Sequence, residues 1–315
     1  MVIHLTDRRV FKTCRRKFYW NNVRRIISLG EGVTPYFELG KVGHECLARY
    51  YQGDLQWLDP IEESDTLSED QKTQLRFLLE NYPAQYPEDK RLMVPQAIET
   101  RIDHEIEIDG YTIVFRATFD LLYIDKRSRK FFIMDHKFLS NPANRANLEL
   151  DDQLTGYIWL AKRLGFPILG AYYNVFLKRL FTEPYTPSGK ISRAKRTLDN
   201  CTYEMYFEAI TKCGENPEDY REELDYLKTT PPTLYERHLI TKTDEQLENY
   251  ERDLFAELRD IVRILRSKNI HEFYPNPTFL CTQCSFKELC HMQNQGADVE
   301  QIIPYQFREK EESER

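Results

Sequence analysis

Four cysteines at the two ends of this chain constrain its fold more than any other feature. Cys14 sits in a basic, aromatic segment, Phe11-Lys12-Thr13-Cys14-Arg15-Arg16-Lys17-Phe18-Tyr19-Trp20. The other three crowd together near the far end, at Cys281, Cys284 and Cys290. A Cys-x2-Cys turn can bring two thiolates onto one metal, and Cys290 is close enough to add a third. A fourth ligand must come from elsewhere. If it is Cys14, one metal centre joins the two ends and clamps everything between them as one unit.

The remaining composition fits that picture. A chain of 315 residues suits one large domain or two small ones and is ample for a buried core. The net charge of −7 argues against a nonspecific polycation but leaves room for a local basic groove. No apolar run approaches the ~20 residues that cross a bilayer, and residues 1–9 lack a signal-peptide core. A cytoplasmic chain with no membrane contact is expected. In that reducing setting, seven cysteines read as metal ligands plus bystanders better than as disulfides. Cys46, Cys201 and Cys213 are the expected bystanders.

Hydrophobic periodicity divides the chain. Residues 7–27 read as a helix with an apolar stripe and a basic flank, and 37–51 as a second helix. Residues 52–95 are polar and acidic, with a helical patch at 71–80, and read as a helical side-lobe. Alternation begins at 97–108, and Asp109-Gly110 is a hairpin turn signal. Strands are expected at 111–124, 130–138 and 170–177, with an amphipathic helix at 150–164. Residues 181–232 look irregular, and 181–243 is taken as an insertion. A long helix spans 244–267, the cysteine-rich turn spans 271–292, and 308–315 reads as a frayed tail. Three strands, a helix and a fourth strand predict a mixed sheet of the α/β or α+β kind, in a single domain over 1–315.

The chemistry-bearing residues fall at the ends of these elements. Asp120 follows the apolar stretch 115–119, and Asp135-His136-Lys137 closes the next strand. Paired in a hairpin, the two strand ends put two carboxylates within reach of one metal, and hard oxygen ligands suit Mg²⁺ or Mn²⁺. Lys137 shares a strand face with Asp135 and can stabilise negative charge on a phosphorane. Gln153 and Tyr157, at i and i+4, share one helix face. His44 could add an imidazole and tilt the preference towards Mn²⁺. Singly, each has an ordinary reading as a solvated strand end, a helix face or a half-buried histidine. Their order is the signal.

In that order, bracketed by one-plus-three cysteines, the sequence resembles a PD-(D/E)xK nuclease of the RecB type. It is most similar to the iron–sulfur branch, which includes the AddB nuclease domain, the exonuclease of CRISPR adaptation modules and phage exonucleases. The resemblance implies a restriction-endonuclease-like fold with a mixed central sheet flanked by helices. It implies metal ligation by His44, Asp120, Asp135 and the main-chain carbonyl of His136. It further implies catalysis by Asp120, Asp135 and Lys137, with Gln153 and Tyr157 contacting DNA near the active site. Cys14, Cys281, Cys284 and Cys290 match the ligands of a [4Fe-4S] cluster. The chain departs from the family in two places: no proline stands beside the cysteines, and Arg116-Ala117-Thr118 replaces the usual glycine before the first acidic residue.

The expected function is therefore a metal-dependent DNA exonuclease, acting on single strands or free ends in recombination, repair or phage DNA processing. A host cytoplasm of bacterial, archaeal or phage setting follows from the same resemblance. With no phosphate-binding loop in the chain, any helicase or recombination motor would be a partner. The alternative is a catalytically inactive nucleic-acid-binding adaptor stapled by Zn²⁺ or a cluster at the four cysteines. A DNA path is expected over Arg15, Arg16, Lys17, Arg24 and Arg25, with Lys178, Arg179, Lys195 and Arg196 near the insertion. Oligomeric state is left open by the sequence.

Overall fold

The computed structural model describes residues 1–29, 35–139, 151–178 and 181–311. The chain opens with a short strand, β1 (Val2–His4), and a helix, α1 (Leu5–Thr13). The helix expected over 7–27 stops at Cys14, whose backbone is extended at φ −157° and ψ 107°. A new turn, α2 (Arg15–Phe18), starts there, with the Cys14 sulfur accepting from the Lys17 N–H. The break takes Cys14 off the helical stripe and into a cavity shared with the other three cysteines. A π turn (Tyr19–Val23) leads to β2 (Ile26–Ser28). Next come α3 (Pro35–Gln52), α4 (Asp59–Glu63), α5 (Glu69–Gln85) and α6 (Asp89–Leu92). They precede a long hairpin of β3 (Met93–Ile108) and β4 (Tyr111–Asp125). Asp109 and Gly110 form its turn, both at positive φ, 50° and 75°.

β5 (Lys130–Leu139), α7 (Asp152–Arg163) and β6 (Ile168–Leu177) follow as a crossover between parallel strands. Residues 181–232 are not irregular. They contain α8 (Lys195–Leu198), α9 (Tyr203–Lys212) and α10 (Arg221–Thr229). Nor does the insertion extend to 243, because β7 (Tyr235–Ile240) pairs antiparallel with β6 in the main sheet. Helix α11 (Asp244–Ser267) has a capping box of Thr243 and Gln246 at its start and a left-handed Lys268 at its end. The chain then runs through α12 (Lys287–Asn294) and α13 (Ile303–Gln306) to β8 (Phe307–Glu309). The start of the expected tail is therefore ordered: β8 pairs antiparallel with β2.

Among the described residues the main sheet has six strands, ordered β1-β4-β5-β6-β7, with β3 on the remaining side of β4. One face is covered by α1, α7 and α11, through Phe11, Leu154, Ile158, Leu254, Leu258 and Ile261. The other is covered by α3, α4 and α5, through Leu47, Tyr50, Ile61, Leu75, Leu79 and Tyr82. Two smaller cores lie outside these layers. One joins Trp20 and Ile26 to Phe286, Leu289, Val299, Ile303 and Phe307, tying the two ends of the chain together. The other, built around Tyr206, Ile210, Leu224 and Leu227, belongs to the segment of α8, α9 and α10. No helix of the described residues is long and apolar enough to cross a membrane.

Candidate active site

The central cleft begins where a strand changes its neighbour. β1 runs beside β4 at Val114–Arg116, whereas the β5 ladder starts only at Leu121. Between them, residues 117–120 of β4 have no strand on that side among the described residues. Asp120 is therefore not at a strand end, as the sequence suggested, but at the end of the β4–β5 ladder. Its carboxylate replaces the missing ladder bond and accepts the His136 N–H at 2.7 Å. The strand also changes the face it presents here. Phe115, Ala117 and Phe119 face the main core, but past Asp120 it is Leu122 that does. Leu121 and Tyr123 turn instead to a separate cluster with Phe132 and Met134. Two strands that part in this way leave a polar notch in the sheet.

Helix α3 supplies a histidine to the notch. Gly43 lets it approach β5, since a β-carbon there would lie 2.3 Å from the Phe138 ring. His44 follows, with Nδ1 3.3 Å from Asp120 Oδ2. Helix α7 closes the opposite wall. Its cap, Asp151, accepts the Gln153 N–H at 2.8 Å. The Gln153 amide then donates to Asp135 Oδ1 at 3.0 Å and to the Tyr157 hydroxyl at 3.0 Å. Lys137 Nζ lies 2.8 Å from Asp135 Oδ2. His44, Asp120, Asp135, Lys137, Gln153 and Tyr157 are thus drawn into one cleft.

The notch concentrates charge where water is scarce. Asp135 is only 1% exposed and Asp120 only 8%. Burial, and then the Asp135 carboxylate, push Asp120 up to about 7 against the pull of His44. Burial works against a charged His44, but Asp120 and Glu99 override it and hold the imidazole at about 9. Burial likewise opposes the Lys137 ammonium, and Asp135 again overrides it, raising the lysine. Tyr157 is raised well above the ordinary phenol by burial and the two carboxylates. Acids that resist ionisation beside bases that hold protons form a charge balance that a bound cation would shift.

Sequence reasoning missed Glu99. Its carboxylate is 3.4 Å from His44 Nδ1, and ligand atoms of His44, Glu99 and Asp120 all lie within 4.8 Å of one another. β3 and β4 pair Ile98 with Leu121 and Thr100 with Phe119, so Glu99 stands opposite Asp120. Like charges directly opposite on adjacent strands repel. Glu99 also has φ +44°, a left-handed backbone uncommon for a non-glycine residue. The signal was present in the hairpin turn: counting back from Asp109-Gly110 puts 99 across from 120. Oxygen donors with one imidazole fit Mg²⁺ or Mn²⁺.

At the other end, Cys14, Cys281, Cys284 and Cys290 line one cavity of about 460 Å³ with Lys17 and Phe286. None of the four is in a disulfide. Backbone N–H groups of Lys17 and Thr278 reach the Cys14 and Cys281 sulfurs at 3.5 Å. Burial, and then the neighbouring cysteines, push Cys290 up to about 11. A crowded set of four soft donors with N–H groups aimed at sulfur fits a thiolate-held metal or cluster. The bystanders Cys46 and Cys201 are buried, and Cys213 is exposed.

The basic path is altered by the fold. Arg16 is 5% exposed and donates to the Phe273 carbonyl and to Gln293, so it cannot meet a phosphate. Arg15 is paired with Asp260 and packed on the Phe11 and Tyr274 rings. Arg24 is paired with Glu300. A basic helix flank is here used up by acidic partners from the C-terminal third. Lys17 lines the cysteine cavity. Arg25 has φ +53°, and its carbonyl accepts from Lys310. Lys178 is half-buried, whereas Lys195 and Arg196 are exposed; Arg179 lies outside the described residues.

Comparison with known proteins completes the picture. No curated protein matches the chain by sequence. A solved structure described as the crystal structure of SSO0001 aligns with 92% of this chain and 85% of its own, at 11% identity and a TM-score of 0.36. At that level the likeness carries no argument. The family model for the PD-(D/E)XK nuclease superfamily matches residues 6–291, a span that includes every residue of the cleft and all four cysteines. The chain belongs to the PD-(D/E)XK nuclease superfamily, whose members hydrolyse phosphodiester bonds of nucleic acids with divalent metal ions.

Proposed function

We propose that the chain is a metal-dependent deoxyribonuclease, an exonuclease of DNA ends or single strands in recombination, repair or phage DNA processing. The observation that carries the reading is the convergence of Asp120, Asp135, Lys137 and His44 in one cleft where two strands part. His44, Asp120, Asp135 and the His136 carbonyl would hold a divalent ion, with Glu99 beside them. When bound, that ion supplies positive charge to the scissile phosphate and acidifies water.

The chain's own groups do the rest. Lys137, fixed by Asp135, orients the attacking water and offsets charge as the phosphorus gains a fifth oxygen. The water oxygen bonds to phosphorus and releases one proton to solvent, the ester bond to the leaving sugar oxygen breaks, and that oxygen takes up a proton from solvent. Gln153 keeps Asp135 from rotating away and is the group that would face an entering strand, whereas Tyr157, 6% exposed and packed in the core, braces Gln153 and does not meet the DNA that the resemblance implied for it.

The same reading assigns Cys14, Cys281, Cys284 and Cys290 to a structural [4Fe-4S] cluster. Its support is the shared cavity and the N–H contacts to sulfur. Anaerobically purified protein should be brown, with a broad band near about 400 nm; a colourless protein containing only zinc would end the cluster assignment. For the nuclease reading, end-labelled single- and double-stranded DNA is incubated with Mg²⁺ or Mn²⁺ beside a Lys137→Ala control. Release of labelled products by the wild type alone is expected. Equal cleavage by both, or by neither, refutes the reading.

A further inference from the structure

The residue between Asp135 and Lys137 is His136, and alternation turns its side chain to the opposite face of β5. There it is 2% exposed, stacked on the Tyr51 ring with centroids 5.9 Å apart and planes at 10°. In register beside it on β6 is Asn174, and beside Asn174 on β7 is Arg237. The three form a row across three strands. Arg237 Nε donates to Asn174 Oδ1 at 3.0 Å, and Asn174 Nδ2 lies 2.9 Å from His136 Nδ1. The row is anchored from outside the sheet. Arg237 pairs with Asp89 of α6, donates to the Tyr82 hydroxyl of α5 at 2.6 Å, and lies 3.6 Å over the Tyr86 ring. Asn174 is fully buried, and Asp89 is 4% exposed.

Donor chemistry gives this row a direction. A guanidinium has only donors, so Asn174 must turn its oxygen to Arg237 and its amide nitrogen to His136. His136 Nδ1 must then accept, and its proton sits on Nε2. The His136 ring is therefore held in one orientation and one tautomer. The peptide carrying that ring is the one whose N–H donates to Asp120 at 2.7 Å. A buried ion pair such as Arg237–Asp89 is weak evidence for stability, because apolar replacements often serve as well. A row that ends on the cleft peptide gives it a different use.

We propose that Arg237, acting through Asn174, is a positioning residue for the metal site: it fixes the backbone at His136 so that its N–H restrains Asp120 while its carbonyl faces the cation. The inference rests on the metal site of the proposed function. It also assigns a task to Tyr82 and Asp89, in the polar segment 52–95, for which the sequence offers none.

The test measures Mn²⁺ binding by calorimetry in the full-length wild type and in Asn174→Leu, which keeps the volume but breaks both links of the row and the Asn174 bond to the Tyr82 hydroxyl. A dissociation constant weakened about 10- to 100-fold is expected, with cleavage recovering as Mn²⁺ is raised. A folded Asn174→Leu variant that binds Mn²⁺ within about twofold of wild type overturns the row's role. Should that variant fail to fold, nitrogen NMR of histidine-labelled wild type decides, with the His136 signal identified by its loss in His136→Gln. Protonated Nε2 with bare Nδ1 supports the row; protonated Nδ1 overturns it. Wild type that binds no Mn²⁺ refutes the nuclease site itself, and the row's task with it.

Discussion

Two segments of this chain look alike in sequence and are used differently in the fold. Both 52–95 and 181–234 are polar stretches between core elements. The first is wired into the sheet. α5 contributes Leu75, Leu78, Leu79 and Tyr82 to a core shared with α3, Phe176 and Tyr235. Its polar groups continue into the strands, through Tyr82 and Asp89 to Arg237. The second has a core of its own, and touches the rest through its ends, Phe181 on Phe77 and Leu234 on the α3–α5 core. Its core of Ile191, Leu198, Cys201, Tyr206, Ile210, Leu224 and Leu227 uses only its own residues. One segment shapes the site's supports, and the other carries two exposed cations, Lys195 and Arg196.

That contrast can be broken at several strengths. The largest effect sets the scale. Asp135→Ala and Lys137→Ala should each lower DNA cleavage on the order of 10²-fold or more, with circular dichroism unchanged. Wild-type rates in either variant would move the site away from β5, and the wiring of the first segment would lead nowhere. Next comes Arg237→Ala, which leaves Asp89 as a buried, unpaired carboxylate. A loss of about 3–5 kcal/mol in urea unfolding is expected. Replacing both partners, Asp89→Leu with Arg237→Met, should restore most of that stability without restoring Mn²⁺ affinity. Full recovery of both would reduce the first segment to packing, like the second.

Acidity gives a smaller, graded effect. In the metal-free protein His44 holds its proton up to about 9 and Asp120 up to about 7. A cation must displace both protons, so apparent metal affinity should fall as pH drops. About tenfold per unit is expected below 9, and a steeper fall below 7, where Asp120 also takes up a proton. Calorimetry in two buffers of different ionisation enthalpy would show the released protons. A flat profile between pH 6 and 9 would detach His44 and Asp120 from the cation. Smallest is the effect expected from the second segment. Tyr206→Ala should cost that segment about 3–5 kcal/mol, detected as local proteolysis, while Mn²⁺ affinity stays within twofold. A large change there would erase the contrast.

What the sequence disclosed followed from regular pattern. Helix α11 was legible because Leu247, Tyr250, Leu254, Leu258 and Ile261 keep one face and Thr243 caps it. The hairpin was legible from Asp109-Gly110. β7 was not, because Glu236, Arg237 and His238 read as surface charge when two of them are largely buried in the sheet. The break at Cys14 was hidden because one extended residue barely disturbs helical periodicity. Within the site, His44, Asp120, Asp135, Lys137, Gln153 and Tyr157 were each picked out as residues, but Asp120 was placed at a strand end. Glu99 escaped because it sat among the alternating charges of Glu105 and Glu107, which look the same until register is counted. Arg16 misled in the opposite sense, since burial beside the cysteines cannot be told from a basic flank by spacing alone.

The core that ties the two ends of the chain sets a schedule for synthesis. Trp20 is fully buried, but its partners Phe286, Leu289 and Phe307 are made more than 260 residues later. At roughly 5–20 residues per second, the indole ring and the Cys14 thiol stay uncovered for tens of seconds after leaving the ribosome. A chain cut short anywhere before α12 would leave them uncovered for good. The junction thus leaves the Trp20 face open on a growing chain until α12 and β8 have been made.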